Sequence, residues 1–405
     1  MVSGDTCVLE KGVYDDVQIL IDVEGEPGRP ITIRAETPGD VVLRGRSSLM
    51  VSGSHVTIEG LSFKACTLEE SCIVLDGSAD CRAADCRFTE SGGKKAAISI
   101  QGSACRNTVE NCEFSHLEQR SIQVIIRGEE APIDNRIVGN CFRDIPPIPS
   151  GNGRETIQIG QNQRDWGHVE PRTMVDQNRF LRCDGEIEII SNKSSRNSYR
   201  SNLFRDCKGE LVMRGGSFCE IHGNRHENCS GGIRLSGTHH TVTHNLIRNC
   251  PNGFRVPFGI TIEQGGLYQA VTGCLVAHNT VIDSDKVGIN IGTNRGMDRK
   301  EMGVAKHAPY GNRFVYNVFD SDSGRHLVID SAPDNEVVHN LFAGPAGVAD
   351  EMSEVNVIAA ESGLDAEGRP SAGSPAFDGE KGGRGAKPYS YLGVGEGELA
   401  DTPTS

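Results

Sequence analysis

The stretch NLFRDCKGELVMRGGSFCEIHGNRHENCSGGIRLSGTHHTVTHNLIRN, residues 202–249, contains consecutive copies of one short pattern. Asn202 and Asn245 each stand directly before an apolar residue, Asn224 stands two residues before His226, and the three asparagines are separated by 22 and 21 residues. Strand-like runs such as GELVM, GGIRL and HTVT lie between these asparagines. Three short strands per unit of this length, separated by Asn and Gly turns, are typical of a right-handed parallel β-helix.

The same pattern extends over most of the chain. It recurs at Gly60, Asp85, Asn111, Asn140, Asn178, Asn202, Asn224, Asn245, Asn279, Asn317 and Asn340. The longer spacings indicate loop insertions at residues 127–134, 146–154, 161–173 (which includes Trp166) and 293–310, and long loops on one flank of a solenoid often wall a binding groove. The pattern ends after Phe342, so we predict a β-helix domain over residues 1–345 and an irregular cap with an acidic tail over residues 346–405.

Stacking of the units explains how such a chain buries its apolar residues. One unit cannot bury its apolar face alone, so coils stack at about 4.8 Å and like side chains form ladders. Asparagines at the turns are expected to adopt the left-handed conformation and to hydrogen-bond their counterparts in the next coil. We predict about ten to twelve coils and almost no helix. A leucine-rich repeat is the alternative, but its fixed leucine consensus is absent.

Composition limits the environment and the partners of the chain. The net charge is −14, yet residues 186–255 hold ten Lys and Arg against six Asp and Glu, which favours an anion bound in that region. No run of eighteen apolar residues is present, and the first residues lack the features of a signal peptide. The fourteen cysteines are predicted to be mostly free, buried thiols, since several recur at one position of the repeat.

The segment from Gly185 to Arg214 carries the residues that suggest chemistry. Glu186 and Glu188 alternate with isoleucines, which fits a strand with both carboxylates on one face. Lys193 follows the end of that strand, and Arg214 ends the corresponding strand one coil later. Two carboxylates, a lysine and an arginine are therefore offered by consecutive units.

Counting from the repeat asparagines predicts which side chains stack. Glu188, Val212 and Arg234 fall at equivalent positions and are expected to form one outward column. Asn152 belongs to the coil below, so that Glu186 and Glu188 would lie near an asparagine and an arginine. Oxygen ligands of this kind suit calcium. Outward glutamates that are merely solvated are the alternative explanation.

Several stretches together resemble a known family. They are GDTCVLEKGVYDD, PITIRAETPGDVVLRG, NGRETIQIG, GEIEIISNKSSRNSYRSNLFRDCKGELVMRGG and GGIRLSGTHHTVTHN. They resemble the polysaccharide lyases of the alginate lyase and chondroitinase B type, family 6. The resemblance implies calcium-assisted β-elimination at a uronic acid. It implies these roles: calcium ligands Asn152, Glu186 and Glu188; the base Lys193; Arg214 assisting departure of O4; and Arg234 and His240 lining the substrate.

Three functions compete on this evidence. A lyase acting on alginate is favoured. A lyase acting on dermatan or chondroitin sulfate would need extra arginines near the site to bind the sulfate groups, and Arg196, Arg200 and Arg225 are available. A non-catalytic β-helix would tolerate any polar residue at Lys193 and Arg214. A pectate lyase or a polygalacturonase is a further β-helix option; the hydrolase would need clustered catalytic aspartates on its strands, and no such set is found.

The resemblance also sets expectations about surroundings. We expect an anionic polysaccharide as the partner, with neither nucleic acid nor membrane involved. We expect a secreted or periplasmic monomer or weak homodimer.

Overall fold

The computed structural model describes residues 1–376 except 129, 162–166, 264, 267, 348–354, 366, 370, 372 and 373. Trp166 and most of the predicted acidic tail lie outside the described residues. Three long sheets of parallel strands run side by side along the molecule, with thirteen, fifteen and twelve strands. Since each coil contributes one strand to each sheet, the twelve strands of the smallest sheet give twelve complete coils. This confirms the predicted parallel β-helix.

The strands are short and follow one another in the order sheet one, sheet two, sheet three. The first sheet contains β1 (Thr6–Leu9), β4 (Ile31–Ala35), β7 (Val56–Glu59), β10 (Arg82–Ala84), β14 (Thr108–Glu110), β17 (Arg136–Val138), β20 (Met174–Asp176), β23 (Ser198–Arg200), β26 (Glu220–His222), β29 (Thr241–Thr243), β32 (Leu275–Ala277), β35 (Arg313–Val315) and β38 (Glu336–Val338). The second contains β2 (Gly12–Asp15), β5 (Val41–Gly45), β8 (Ser62–Leu68), β11 (Arg87–Thr89), β12 (Gly92–Gly93), β15 (Glu113–Ser115), β18 (Cys141–Ile145), β21 (Arg179–Cys183), β24 (Leu203–Arg205), β27 (Arg225–Glu227), β30 (Leu246–Arg248), β33 (Thr280–Ile282), β36 (Val318–Asp320), β39 (Leu341–Ala343) and β40 (Val357–Ala359). The third contains β3 (Gln18–Ile21), β6 (Ser48–Val51), β9 (Ile73–Asp76), β13 (Ile98–Gln101), β16 (Ile122–Val124), β19 (Ile157–Ile159), β22 (Glu188–Asn192), β25 (Glu210–Met213), β28 (Ile233–Arg234), β31 (Asn252–Pro257), β34 (Val287–Thr293) and β37 (Arg325–Ile329).

Helix is confined, over the described residues, to one 3-10 turn at Lys300–Met302. None of the helical structure in that part of the chain is long and apolar enough to cross a membrane.

Identical side chains stack inside the coils, as the repeat predicts. Six phenylalanines of the second sheet form a continuous stack with ring centroids 4.6–5.0 Å apart. The stack contains Phe63, Phe88, Phe114, Phe142, Phe180 and Phe204. In-register parallel pairing places equivalent residues above one another at the coil spacing, so one apolar choice per coil builds a continuous core.

A ladder of buried asparagines fixes the turn between the first and second sheets. Each amide nitrogen donates to the amide oxygen of the asparagine in the next coil, over distances of 2.9–3.1 Å. The predicted bonding is confirmed. The predicted left-handed backbone occurs at the repeat residue Asn111, with φ 52°, but is wrong for the asparagines of the ladder. The left-handed residue is the one before each asparagine, such as Gln177, Ser201 and His244, with φ of 55°, 51° and 59°. The asparagine side chain points inward from an ordinary backbone conformation and satisfies carbonyls of the turn.

Cysteines occupy a second ladder at the turn that follows the second sheet. Cys183, Cys207, Cys229 and Cys250 are buried, and the Cys183 N–H donates to the Cys207 sulfur at 3.4 Å. All fourteen cysteines are free thiols, which confirms the prediction.

The asparagine ladder should contribute measurably to stability. Asn202 is 1% exposed, and its amide donates to the carbonyl of Val175 and accepts from the N–H of Asn178. Replacing Asn202 by alanine leaves these buried groups unsatisfied, so we expect a loss of about 3 kcal/mol in unfolding free energy. Denaturant unfolding measures the loss. Asn152→Ala, at an exposed position, is the control. Because Asn152 is also a predicted calcium ligand, both variants are unfolded in excess chelator, where Asn152→Ala should unfold as the parent does; equal stability of both variants would contradict the expectation.

Candidate active site

Lys193 and Arg214 leave neighbouring strands of the third sheet at the same level. β22 ends at Asn192 and β25 at Met213, and these two residues are paired in register. The Arg214 N–H donates to the Asn192 carbonyl, and the Lys193 N–H donates to the Ile159 carbonyl one coil below. Their backbones are therefore about one coil spacing apart, near 4.8 Å. Both side chains are largely buried, at 8% and 20% exposure.

A β-bulge changes the predicted outward column. Val212 and Arg234 are paired, as predicted. Glu188, however, pairs with Glu210, and the register shifts between Glu188 and Ile190, so that Ser191 rather than Glu188 lies opposite Val212. The prediction placed Glu188 wrongly because a strict count from the asparagine cannot include an extra residue. The Ser191 hydroxyl in turn donates to Glu188 at 2.6 Å.

Three buried carboxylates meet beside this bulge. Glu155, Glu186 and Glu188 each offer an oxygen, and these oxygens lie within 4.8 Å of one another. Their side chains come from two neighbouring coils, on either side of the β19 and β22 pairing. Carboxylates this close and this buried need cations to balance their charge.

Four basic side chains surround the carboxylates. Glu155 contacts Lys193 Nζ at 3.2 Å and Arg120 Nε at 2.6 Å. Glu188 contacts Arg234 Nη2 at 2.5 Å and Arg214 Nη1 at 3.5 Å. Glu186 has no ion pair with any residue that the structure describes.

The pKa values of Glu186 and Glu188 differ because Glu188 has two arginine partners and Glu186 has no ion pair among the described residues. Burial raises the pKa of Glu186 to about 7, and the neighbouring charges of Glu155 and Glu188 add to the effect. Burial also opposes ionisation of Glu188, but Arg234 and Arg214 outweigh it and lower the pKa of that carboxyl. Burial lowers the pKa of Lys193; Glu155 opposes that change, and Arg214 reinforces it. The lysine therefore loses its proton more easily than a surface lysine does.

The 146–154 loop covers Glu186 from one side. The Gly153 N–H donates to Glu186, with Gly153 at φ 108°, a conformation that favours glycine. Asn152, exposed and adjacent in the chain, belongs to the same loop. An oxygen-only donor set with one carboxylate left unbalanced fits a hard divalent cation such as calcium.

His240 does not reach the surface that carries Lys193, Arg214 and Arg234, so the prediction of a substrate contact is wrong. The residue is 0% exposed, its Nδ1 accepts from the Cys219 N–H at 3.1 Å, and its Nε2 lies 3.0 Å from the Ser236 carbonyl. Burial lowers the pKa of His240 to about 4, so the ring is neutral. Its role is to stabilise the turn between coils. Arg234, by contrast, faces the carboxylates on the outer surface of the third sheet.

The arginines available for sulfate groups point elsewhere. Arg200 lies in β23 of the first sheet and pairs with Glu220. Arg225 lies in β27 of the second sheet and pairs with Glu227. Arg196 contacts Glu170 at 2.8 Å and has its guanidinium 4.8 Å from the Phe218 ring centroid.

Three residues near the site were not predicted as members of it. Glu155 precedes β19 and joins Glu186 and Glu188 in the carboxylate cluster. Tyr268 comes from the loop after β31 and contacts Arg214. Arg299 comes from the loop after β34 and lies over the Tyr268 ring. The spacing of 34 residues between Asn245 and Asn279 indicated an insertion at the first of these loops. No count of residues predicts that the loop folds back over Arg214.

Comparison with known proteins assigns the family. The model of the family described as Chondroitinase B matches residues 1–342. This chain is a polysaccharide lyase of family 6. A mannuronic acid specific family 6 lyase from human gut microbiota is similar at 27% identity and a TM-score of 0.78, over 88% of this chain and 86% of that one. No curated protein sequence matches.

Two further structures resemble this lyase. The family 6 lyase Pedsa3628 from Pseudopedobacter saltans shares 25% identity, with a TM-score of 0.70 over 88% of this chain and 92% of that one. The alginate lyase AlyGC shares the fold at 23% identity, with a TM-score of 0.84 over 98% of this chain. This chain spans 56% of the AlyGC chain.

Proposed function

We propose that this lyase cleaves alginate by β-elimination between C4 and C5 of a uronic acid, with Lys193 and Arg214 as its catalytic residues. The observation that carries the proposal is the placement of these two side chains at one level on neighbouring coils, above buried carboxylates. C5 and O4 of one sugar are two bonds apart. Side chains from adjacent coils are placed to reach both atoms.

Lys193 is proposed to remove the proton at C5. A base must be neutral to accept a proton, and burial beside Arg214 lowers the pKa of this lysine. The contact of 3.2 Å with Glu155 holds Nζ in place. The electron pair left at C5 then forms the C4–C5 double bond, and the C4–O4 bond breaks.

Arg214 is proposed to stabilise the charge that develops on O4. Its guanidinium is held by Glu188 at 3.5 Å and by the Tyr268 hydroxyl, so its orientation is fixed before substrate binds. A preorganised cation at the leaving oxygen lowers the barrier more than one that must reorient. Arg234, 2.5 Å from Glu188, is proposed to bind the sugar from the next coil.

A calcium ion is proposed as the cofactor, held by Glu186, Glu188 and Asn152. Glu155 is the third carboxylate of the cluster. Arg120 and Lys193 contact it, as Arg234 and Arg214 contact Glu188, so Glu186 is the carboxylate of the cluster that has no ion pair among the described residues. Calcium bound here would neutralise the sugar carboxylate and so acidify the proton at C5. The cluster that the ion would join lies directly beside Lys193.

Calcium binding is expected to weaken as the pH falls below about 7. The pKa of Glu186 is about 7 without the ion, so below that pH a proton occupies the carboxylate that calcium needs. The apparent dissociation constant should rise on the order of tenfold per pH unit below that point. Titration calorimetry between pH 5.5 and 8.5 measures this, and excess chelator should abolish most activity.

The matched variant is Glu186→Gln. It keeps the size of the side chain but removes the titrating group, so calcium affinity should be weak and nearly independent of pH near neutrality. Wild-type affinity that stays constant from pH 5.5 to 8.5 would contradict the assignment of Glu186. Full activity in excess chelator would mean that Arg234 or another cation neutralises the sugar carboxylate.

Alginate is the favoured substrate for two reasons. Similar structures include a lyase described as mannuronic acid specific and one described as an alginate lyase in complex with a trisaccharide. Arg200 and Arg225, which a sulfated chain would need near the groove, lie on the other two sheets. Dermatan sulfate is the second candidate, because the matching family model is described as Chondroitinase B.

Absorbance of the unsaturated uronate decides between these substrates. We expect it to rise on alginate and to stay flat on dermatan sulfate. Block polymers of mannuronate and guluronate, tested in parallel, give the preferred uronate. Unsaturated product from dermatan sulfate alone would show that dermatan sulfate is the substrate. Product from neither polysaccharide would overturn the proposed function.

A further inference from the structure

Tyr268 lies in a loop that reaches Arg214. The loop, residues 258–270, connects β31 to β32, and its ends are joined by hydrogen bonds of 2.8 Å from Ile260 N–H to the Tyr268 carbonyl and from Ala270 N–H to the Thr261 carbonyl. A further bond of 2.8 Å, from the Gly259 N–H to the His307 carbonyl, ties it to the 293–310 loop. Tyr268 has φ 48°, an unusual value for a bulky residue. The backbone therefore holds the tyrosine in a defined place.

Two guanidinium groups contact the tyrosine. Arg214 donates from Nη2 to the Tyr268 hydroxyl oxygen, with its Cζ 4.9 Å from the ring centroid. The Cζ atom of Arg299 lies 4.0 Å from the same centroid. Both cations would stabilise negative charge on the phenol oxygen.

The direction of the hydrogen bond leaves the phenolic proton available. A guanidinium only donates, so the Tyr268 oxygen accepts, and its own O–H is not donated to any residue that the structure describes. Beside it is a small pocket of about 10 Å³, whose lining includes the polar residues Arg214, Arg234, Ser236 and Asn294. That volume is roughly what one water molecule needs.

We propose that Tyr268 donates the proton that the leaving oxygen O4 takes up. The inference deepens the proposed function and rests on it. An arginine rarely gives up its proton in a protein, whereas a phenol can act as a general acid, and this phenol lies against Arg214 and Arg299. Arg214 then acts on O4 as a charge and a hydrogen-bond donor, and Tyr268 supplies the proton.

The proton balance closes without net consumption of water, which only relays a proton. Lys193 takes the proton from C5 as the C5–H bond breaks, and that electron pair forms the C4–C5 double bond. The C4–O4 bond breaks, and O4 takes the phenolic proton, which leaves a phenolate between Arg214 and Arg299. A water molecule in the small pocket gives a proton to the phenolate, and the hydroxide that remains takes up the proton that the Lys193 ammonium releases, so that water, phenol and amine are all restored.

Tyr268→Phe in the full-length, calcium-loaded enzyme tests this role. On alginate we expect kcat to fall by about a hundredfold with little change in KM, because the proton donor is lost but the groove is intact. On a synthetic uronide that carries a nitrophenyl group at O4, departure needs no proton, so the variant should stay within about threefold of the wild type. If Tyr268 only positions Arg214, the kcat of the variant should fall by the same factor on both substrates.

The matched control is Tyr316→Phe. Tyr316 stacks between His278 and His339, with ring centroids 5.4 Å from each, and lies outside the site. It should have wild-type kcat on both substrates. Wild-type kcat of Tyr268→Phe on alginate, or an equal loss on both substrates in a folded variant, would overturn the inference and leave the lyase activity standing. A wild-type enzyme that gives no unsaturated product would overturn the proposed function and this inference together.

Discussion

Replacing Lys193 by alanine is expected to lower kcat on alginate by about a hundredfold or more, while KM changes little. The side chain is buried against Glu155, and burial lowers the pKa of its amine, so a neutral amine is available at the position where the base must act. Its removal leaves Glu186, Glu188 and the groove in place. Initial rates of unsaturated uronate formation, fitted for kcat and KM separately, measure the effect.

Lys193→Arg separates a base from a surface cation that only attracts the polyanion. Arginine keeps the charge but does not give a neutral form at working pH. Near-normal kcat in this variant would therefore contradict the assignment of Lys193 as the general base. Lys208→Ala is the matched control, since that lysine is exposed and contacts Asp184 at 3.6 Å, and its kcat should be unchanged.

Replacing Arg214 by alanine is the second change with a large expected effect. The guanidinium contacts Glu188 and the Tyr268 hydroxyl together, so its loss removes the cation from O4 and the partner that holds Tyr268. We expect kcat to fall by on the order of a hundredfold or more. Because Arg214 also contributes to the lowered pKa of Lys193, the rate should rise at higher pH than in the wild type.

Arg214→Lys is expected to restore little of this loss. An ammonium carries the same charge but cannot contact Glu188 and Tyr268 with a planar fork. Arg200→Ala serves as control, because Arg200 pairs with Glu220 on the first sheet. A lysine variant with wild-type kcat would show that only the charge at this position matters.

The repeat determined the fold without further help. Each coil needs one apolar residue at each inward position and an asparagine at one turn, and both recur along the sequence. Because parallel strands stack in register, these local choices build the phenylalanine stack and the asparagine ladder directly. The same register placed Lys193 beside Arg214, since both follow the last residue of neighbouring strands.

The tertiary structure alone decided the rest of the site. The bulge after Glu188 shifts that carboxylate out of the counted column, and Glu155 joins the cluster from the coil below. His240 turned inward, which the count from the asparagine did not reveal. Tyr268 reaches Arg214 across 54 residues of sequence. The coils repeat with a regular period, so the sequence predicts them. Bulges and loops interrupt that period, and the positions of their side chains depend on packing against the folded solenoid.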